Sequence, residues 1–228
     1  MLKIIRTEDG SQSLYDEELN ETYHSTKGAR AESEYVFLKM GLDFFCQQYT
    51  DELPPQSLRQ SGSRQQIRVL EVGFGTGLNA WLTWQWAEKN RISIHFYTLE
   101  PFPISLDLVK QMDLAADRQF LAVHEASWNK QTHFGDYFSL YKSTNKLEEA
   151  VFDTTFDCVF FDAFAPSKQP EVWSLENLQK CHDALQSGGI LTTYCAQGQF
   201  KRNLAAVGFE VEVLPGALGK KEMVRGGS

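Results

Sequence analysis

The sequence predicts an α/β fold in which a mostly parallel sheet is covered by helices on both faces. Three observations carry that expectation. Apolar runs, "IRVLEVG" (67–73), "ISIHFYTLE" (92–100), "FDCVFFDAF" (156–164) and "ILTTYC" (190–195), alternate with segments of helical character. Such runs suit strands buried on both sides. The first run ends in a glycine-rich turn that opens a helix, "GFGTGLNA".

Residues 1 to about 30 hold two polar, glycine-punctuated segments, "IIRTEDGSQSLYD" and "LNETYHS", that read as a hairpin. "EYVFLKMGLDFFCQQY" (34–49) places Val36, Phe37, Met40, Phe44 and Phe45 at helical spacing, an amphipathic helix. "DELPPQSLRQSGSRQQ" (51–66) is a polar loop. Residues 1–66 thus form an extension packed on a core of 67–228. In the core, "TGLNAWLTWQWAEK" (76–89) reads as a helix, and "ISLDLVKQMDLAA" (104–116) as another behind Pro101 and Pro103. A poorly patterned stretch follows. A helix near 174–186 is expected to end at a Gly188-Gly189 turn, and a short helix at 199–207 follows the strand "ILTTYC". "FEVEVLPG" and "KKEMVRG" close the chain as two strands whose connection is too short for a parallel crossover. One of them should therefore run antiparallel, at or near the edge.

The length of 228 residues suits one domain with a sizeable core, and 42% hydrophobic with 23% charged residues is an ordinary globular balance. No apolar run approaches the roughly 20 residues of a membrane span. The start, MLKIIRTEDGSQ, turns acidic before a signal core can form. Cys46, Cys158, Cys181 and Cys195 are scattered, without a C-x-x-C pair, which points to a reducing, cytoplasmic setting. Neither they nor the five histidines show metal-ligand spacing, so no metal is expected. A net charge of −8 argues against nonspecific coating of nucleic acid but leaves room for a local basic patch.

The loop glycines Gly73, Gly75 and Gly77 form G-x-G-x-G. A dinucleotide fingerprint needs a small residue where Leu78 stands, and a P-loop needs a lysine that is absent. Without a pyrophosphate signature, S-adenosylmethionine fits better, because glycine permits close backbone approach to its adenosine. Its ribose diol calls for an acid at the end of the next strand. Glu100 follows Gly77 by 23 positions, close to the roughly 20 expected of such a pair. Glu71, an acid on an otherwise apolar strand, and Asn79 are candidates for the cofactor's amino-acid end.

Ligands in this architecture sit outside the carboxyl ends of the strands. Asp162 stands at such an end, followed by the loop "AFAPSKQPEVW". A carboxylate there suits methylation of a primary amine. An alkylammonium titrates near 10, so only about one molecule in a thousand is nucleophilic at neutral pH. A fixed carboxylate accepts the amine N–H, aims its lone pair, and takes or relays the proton. Trp173 reads as core packing or as a stacking platform, and Lys168 as a solvated charge or a phosphate contact.

The segments "LEVGFGTGLNA", "FFDAFAPSKQPEVW", "GGILTTYCAQG", "GFEVEVLPGALGKKEM" and "YHSTKGARAESEYVFL" resemble the methyltransferase domain of the tRNA 5-methylaminomethyl-2-thiouridine biosynthesis (MnmC-like) family. The resemblance implies a Rossmann-like class I fold with a seven-stranded, mostly parallel sheet and one antiparallel strand. It implies S-adenosylmethionine-dependent methylation of the 5-aminomethyl group on wobble uridine, with Asp162 matching the family's proposed catalytic residue. No flavin-dependent oxidase domain is expected from these residues, so the resemblance implies the stand-alone, MnmD-like form, whose aminomethyl substrate would be supplied by upstream tRNA-modifying enzymes. Related methyltransferases often place Gly-Asp near the adenine; here "YKSTNKLEE" offers Asn145 instead.

An RNA substrate calls for basic residues near the site. Lys27, Arg30, Lys168, Lys201, Arg202, Lys220, Lys221 and Arg225 are the candidates. A wobble base must leave its stack to enter a pocket, and Tyr23, Phe164 and Tyr194 are the rings available to receive it. Three other readings stay open at this stage: a small-molecule amine methyltransferase, a non-catalytic binder of cofactor or tRNA, and a nicotinamide oxidoreductase.

Overall fold

The computed structural model describes residues 1–51 and 66–228. The polar loop expected at 51–66 lies, but for its end residues, outside the described residues. At the N-terminus, β1 (Leu2–Arg6), β2 (Gln12–Asp16) and β3 (Glu21–Thr22) form an antiparallel sheet in the order β1-β2-β3. The expected hairpin is thus a three-stranded unit. Its third strand is pinned where Tyr23 N–H donates to the Leu14 carbonyl at 2.8 Å.

A long helical segment follows: α1 (Ala29–Ser33), a π-helical stretch Glu34–Asp43, and α2 (Phe44–Asp51). It lies on the central sheet with Val36, Phe37, Leu42 and Phe45 buried. Gly41 lets it approach closely, since a Cβ there would sit 3.2 Å from the Phe160 ring.

The central sheet is built from β4 (Gln66–Val72), β5 (Ser93–Leu99), β6 (Gln131–Phe134), β7 (Phe138–Ser143), β8 (Phe156–Phe161), β9 (Leu185–Thr193), β10 (Glu210–Pro215) and β11 (Glu222–Gly227). Their order is β10-β11-β9-β8-β4-β5-β7-β6. The five strands from β9 to β7 run parallel, while β11 and β6 are antiparallel to their neighbours. The sheet therefore has eight strands rather than seven. The extra edge strand β6 pairs with β7 as a hairpin inside the stretch that had no clear pattern.

Strand alternation explains how one sheet serves two cores. Val69, Ile94, Phe96, Cys158, Phe160 and Ile190 face the long N-terminal helix, α3 (Leu78–Asn90) and α5 (Arg118–Glu125). Leu70, Val72, Leu99, Val159, Phe161 and Leu191 face α6 (Leu175–Ala184) and α7 (Gly198–Ala206).

Two sequence expectations need correction. The helix expected over 104–116 is only α4 (Leu106–Val109) followed by a 3-10 turn, Asp113–Ala116. The N-terminal sheet takes this segment over: Asp113 N–H donates to Gln12 at 2.6 Å, and the Asp113 carboxylate accepts from Arg6. Likewise α6 stops at Ala184, and β9 begins at once with Gly188 and Gly189 inside it. Those glycines let the strand slip register opposite Phe156–Cys158. Gly188, at φ +80°, donates to the Ser228 carbonyl, and Ser228 N–H donates back to Gly189. Among the described residues no helix is long and apolar enough to cross a membrane. Nor is any group of three or more His, Cys, Asp or Glu placed to hold a metal ion.

Candidate active site

A cavity of about 450 Å³ opens at the carboxyl ends of β4, β5 and β8. That volume lies within the range of small-molecule sites. Its floor is the glycine loop. Gly73, at φ +96°, admits no side chain: a Cβ would stand 2.6 Å from the Asp162 carbonyl oxygen. The Asp162 amide in turn donates to the Val72 carbonyl at 2.9 Å, so the β4 and β8 ends are fixed against each other. Gly77 caps α3 in a left-handed conformation with His124 beneath it. The His124 ring edge bonds the Thr76 carbonyl at 2.9 Å, and burial pulls its pKa down to about 4, so it stays neutral.

Glu100 stands on the cavity wall where the sequence placed it. Its Oε2 accepts from Gly75 N–H at 3.0 Å and its Oε1 from Phe102 N–H at 2.9 Å. Burial raises its pKa, and those two donors hold the rise back. Beyond Glu100 the wall is Lys146, Leu147 and Glu148. Asn145 is exposed and is not part of that wall.

Asp162 lines the cavity just past β8. Its Oδ2 accepts from Asn79 Nδ2 at 2.8 Å. Burial raises its pKa to about 7; the Asn79 bond opposes this, Glu32 adds to it, and Lys220 offsets it. Asn79 and Glu71 were expected at the cofactor's amino-acid end. Both are buried behind the wall, with Glu71 Oε2 accepting from Thr98 Oγ1 at 2.6 Å.

The opposite wall comes from the N-terminal sheet. Asp16, Glu18, Leu19 and Tyr23 line it. Lys168 lines the cavity too, but its ammonium donates to the Leu19 and Asn20 carbonyls, at 2.8 and 3.2 Å. It ties the Pro-rich loop to the β2–β3 turn. Phe164 meets Tyr23 edge-on, with centroids 4.8 Å apart. Trp173 is core packing: it lies against Phe161 and Phe200, and its indole N–H donates to the Phe164 carbonyl at 2.8 Å.

Of the other basic residues, Lys220 is paired with buried Glu32 and lies over the Tyr194 ring. Arg30 pairs with Glu34, Lys201 with Glu222, and Arg225 with Glu212. Lys27, Arg202 and Lys221 are exposed. Sequence reasoning missed Glu32, which accepts from Ser25 N–H and from Lys220 and so joins the N-terminal segment to the β10–β11 turn. Its signal was one of two acids, Glu32 and Glu34, inside "GARAESEY", positions ordinary for any helix surface. Thr98 was missed because a strand threonine is unremarkable until its partner is known.

The family model for S-adenosyl-L-methionine-dependent methyltransferases matches residues 105–228, more than half of the chain. The chain belongs to that family. The methyltransferase is 27% identical over 223 residues to the tRNA 5-methylaminomethyl-2-thiouridine biosynthesis bifunctional protein MnmC of Leptospira interrogans, covering 92% of this chain and 33% of that protein. To the MnmC protein of Cupriavidus necator it is 30% identical over 224 residues, covering 92% and 32%. The chain thus spans about a third of the length of the curated relatives it matches. In fold it is similar to MNMC2 from Aquifex aeolicus, with a TM-score of 0.76 at 24% identity over all of this chain and 70% of that one. Spermidine synthase from Thermotoga maritima shares the fold more distantly, with a TM-score of 0.57 at 14% identity over 99% and 67%. The class I fold and S-adenosylmethionine as methyl donor are therefore properties of this chain's family.

Proposed function

We propose that the chain methylates the nitrogen of a 5-aminomethyl group on wobble (2-thio)uridine in tRNA, giving the 5-methylaminomethyl base. The observation that carries this reading is Asp162, a cavity-lining carboxyl whose pKa is raised to about 7, at the end of the cofactor-binding strands. An ordinary aspartate is about six units more acidic than an alkylammonium, and each unit costs 1.36 kcal/mol in proton transfer. Raising the acceptor to about 7 removes roughly 4 kcal/mol of that uphill step. Asp162 accepts the amine N–H, orients the lone pair, and takes the proton.

The residues present fit S-adenosylmethionine. Gly73 and Gly75, which line the cavity, would let its adenosine lie against backbone, Glu100 would receive the ribose diol, and the Lys146–Glu148 edge would flank the adenine; Gly77 caps α3 over His124 and does not line the cavity. Bound there, the cofactor supplies an electrophilic methyl on a sulfonium. Charge supports the assignment: Asp16, Glu18, Glu100, Glu148, Asp162 and Glu171 line the cavity against Lys146 and Lys168. Such an interior favours a sulfonium and an ammonium and repels phosphate, so only the modified base enters. Tyr23 and Phe164, which meet edge-on in the cavity lining, are the rings to receive it. The anticodon backbone is left to exposed cations outside, Lys221, Lys27 and Arg202, rather than to Lys168 or Lys220. On this reading residues 1–66 form an extension that completes a methyltransferase core of 67–228. The protein works in the cytoplasm, downstream of the enzymes that install the aminomethyl group.

The test uses labelled S-adenosylmethionine and tRNA from cells lacking this methylation, followed by digestion to nucleosides. Label is expected in 5-methylaminomethyl uridine and lost with Asp162→Ala. Label on a free polyamine or another small amine, with none in tRNA, would overturn the tRNA reading.

A further inference from the structure

Glu71 and Asn79 do not touch the cavity, yet they connect to Asp162. Glu71 pairs with Thr98 across β4–β5 and with Phe160 across β4–β8. Asp162 stands two residues beyond Phe160, so Thr98, Glu71 and Asp162 lie on one face of the sheet. Asn79, in the first turn of α3, covers that face. Two oxygens there, Glu71 Oε1 and Asn79 Oδ1, are buried without a hydrogen-bond partner. A buried acceptor left without a partner is destabilising. The amide is fixed at its other end, because Nδ2 donates to Asp162. One proton placed between the two orphaned oxygens satisfies both.

We propose that Glu71 is a positioning residue for Asp162: it keeps a proton on Oε1 and donates it to Asn79 Oδ1. A single directed chain then runs from the Thr98 hydroxyl through Glu71 and Asn79 to Asp162 Oδ2. It leaves Asp162 Oδ1 as the acceptor for the substrate. The assignment rests on the reading of Asp162 as proton acceptor. The surroundings favour the acid form. Burial raises the Glu71 pKa to about 8, its contacts with Thr98 and Asn79 hold the rise back, and the nearby acids Asp162 and Glu100 add to it. The charged groups facing Asp162 itself are Glu32 and Lys220, which are paired with each other. Ionisation of Glu71 above about pH 8 would set a carboxylate against Asn79 Oδ1. The amide would then turn over and present an acceptor, not a donor, to Asp162.

Glu71→Gln keeps the shape and an N–H donor but cannot ionise, and Asn79→Leu cuts the chain. Three readouts apply: cofactor affinity by equilibrium dialysis, kcat as a function of pH, and the infrared carbonyl band of buried protonated carboxyls. Cofactor Kd is expected to stay within about threefold for both variants, and kcat to fall roughly 10- to 100-fold for Asn79→Leu. Wild-type kcat is expected to decline above about pH 8, the decline to vanish in Glu71→Gln, and one protonated-carboxyl band at pH 7 to disappear with it. A tenfold loss of cofactor affinity in Glu71→Gln, an unchanged alkaline decline, or an unchanged infrared spectrum would overturn the proposal. The infrared readout needs no methyl acceptor. A wild-type protein inactive on the tRNA would overturn the functional reading, while the band would still decide the state of Glu71.

Discussion

The floor and the roof of the cavity are held by different means. The floor is backbone: Gly73 packs against the Asp162 carbonyl, Gly75 donates to Glu100, and neighbouring parallel strands fix the spacing. The roof is side-chain tethers between segments far apart in sequence. Lys168 reaches back to Leu19 and Asn20, and, among residues that do not line the cavity, Lys220 reaches to Glu32. A backbone-built floor keeps its shape with or without ligand. A roof tied by a few ammonium groups can release and re-form without disturbing the sheet. The two sides thus suit a bound cofactor and an entering macromolecule, respectively.

Breaking the floor should have the largest effect. Gly73→Ala puts a methyl within 2.6 Å of a carbonyl oxygen that cannot retreat, at a φ of +96°. A destabilisation of about 2–4 kcal/mol is expected in urea unfolding, together with at least tenfold weaker cofactor binding. Breaking the roof should cost less and act elsewhere. Lys168→Met keeps the apolar stem and removes the ammonium that holds Leu19 and Asn20. Stability is expected to fall by about 1 kcal/mol. Cofactor affinity should hold, the KM for tRNA should rise several-fold, and amide exchange across the β2–β3 turn should quicken.

A third effect separates the two sides by pH. Folding takes up a proton at Asp162, because its pKa rises from the usual aspartate value near 3.9 to about 7. The native state therefore loses stability as pH climbs through that window and has lost all of this contribution above it. Asp162→Asn removes the dependence. Thermal melting should find the variant more stable than wild type by about 1–3 kcal/mol above pH 7, with no difference below about pH 4. Lys168→Met keeps Asp162, so its difference from wild type should not change with pH across that window.

The same division governed what was legible in the sequence. β4, β5 and β8 announce themselves because strands buried on both faces are apolar throughout, and the glycine turn with Glu100 follows from local chain geometry. The β6–β7 hairpin did not stand out. Gln131, Thr132 and His133 form an exposed edge strand, and β7 hides a buried lysine, Lys142, whose ammonium caps α5 at the Val123 and His124 carbonyls. Glycines 188 and 189 read as a turn because a bulge and a turn require the same backbone freedom. Asp162 and Asn79 could each be singled out from their places at a strand end and in a first helical turn, but not as partners, since that contact spans 83 residues. The tethers of Lys168 and Lys220 are longer still, 149 and 188 residues, and nothing local marks them.

The central claim is a division of labour between two carboxyls, Glu100 holding the cofactor and Asp162 serving the amine. Its most direct test measures S-adenosylmethionine affinity by calorimetry and single-turnover methyl transfer side by side for Glu100→Gln and Asp162→Asn. Glu100→Gln is expected to weaken binding about tenfold while transfer at saturating cofactor stays within about fivefold. Asp162→Asn is expected to leave binding within about twofold and slow transfer at least 100-fold. Weakened cofactor binding with near-normal transfer in Asp162→Asn would contradict the account.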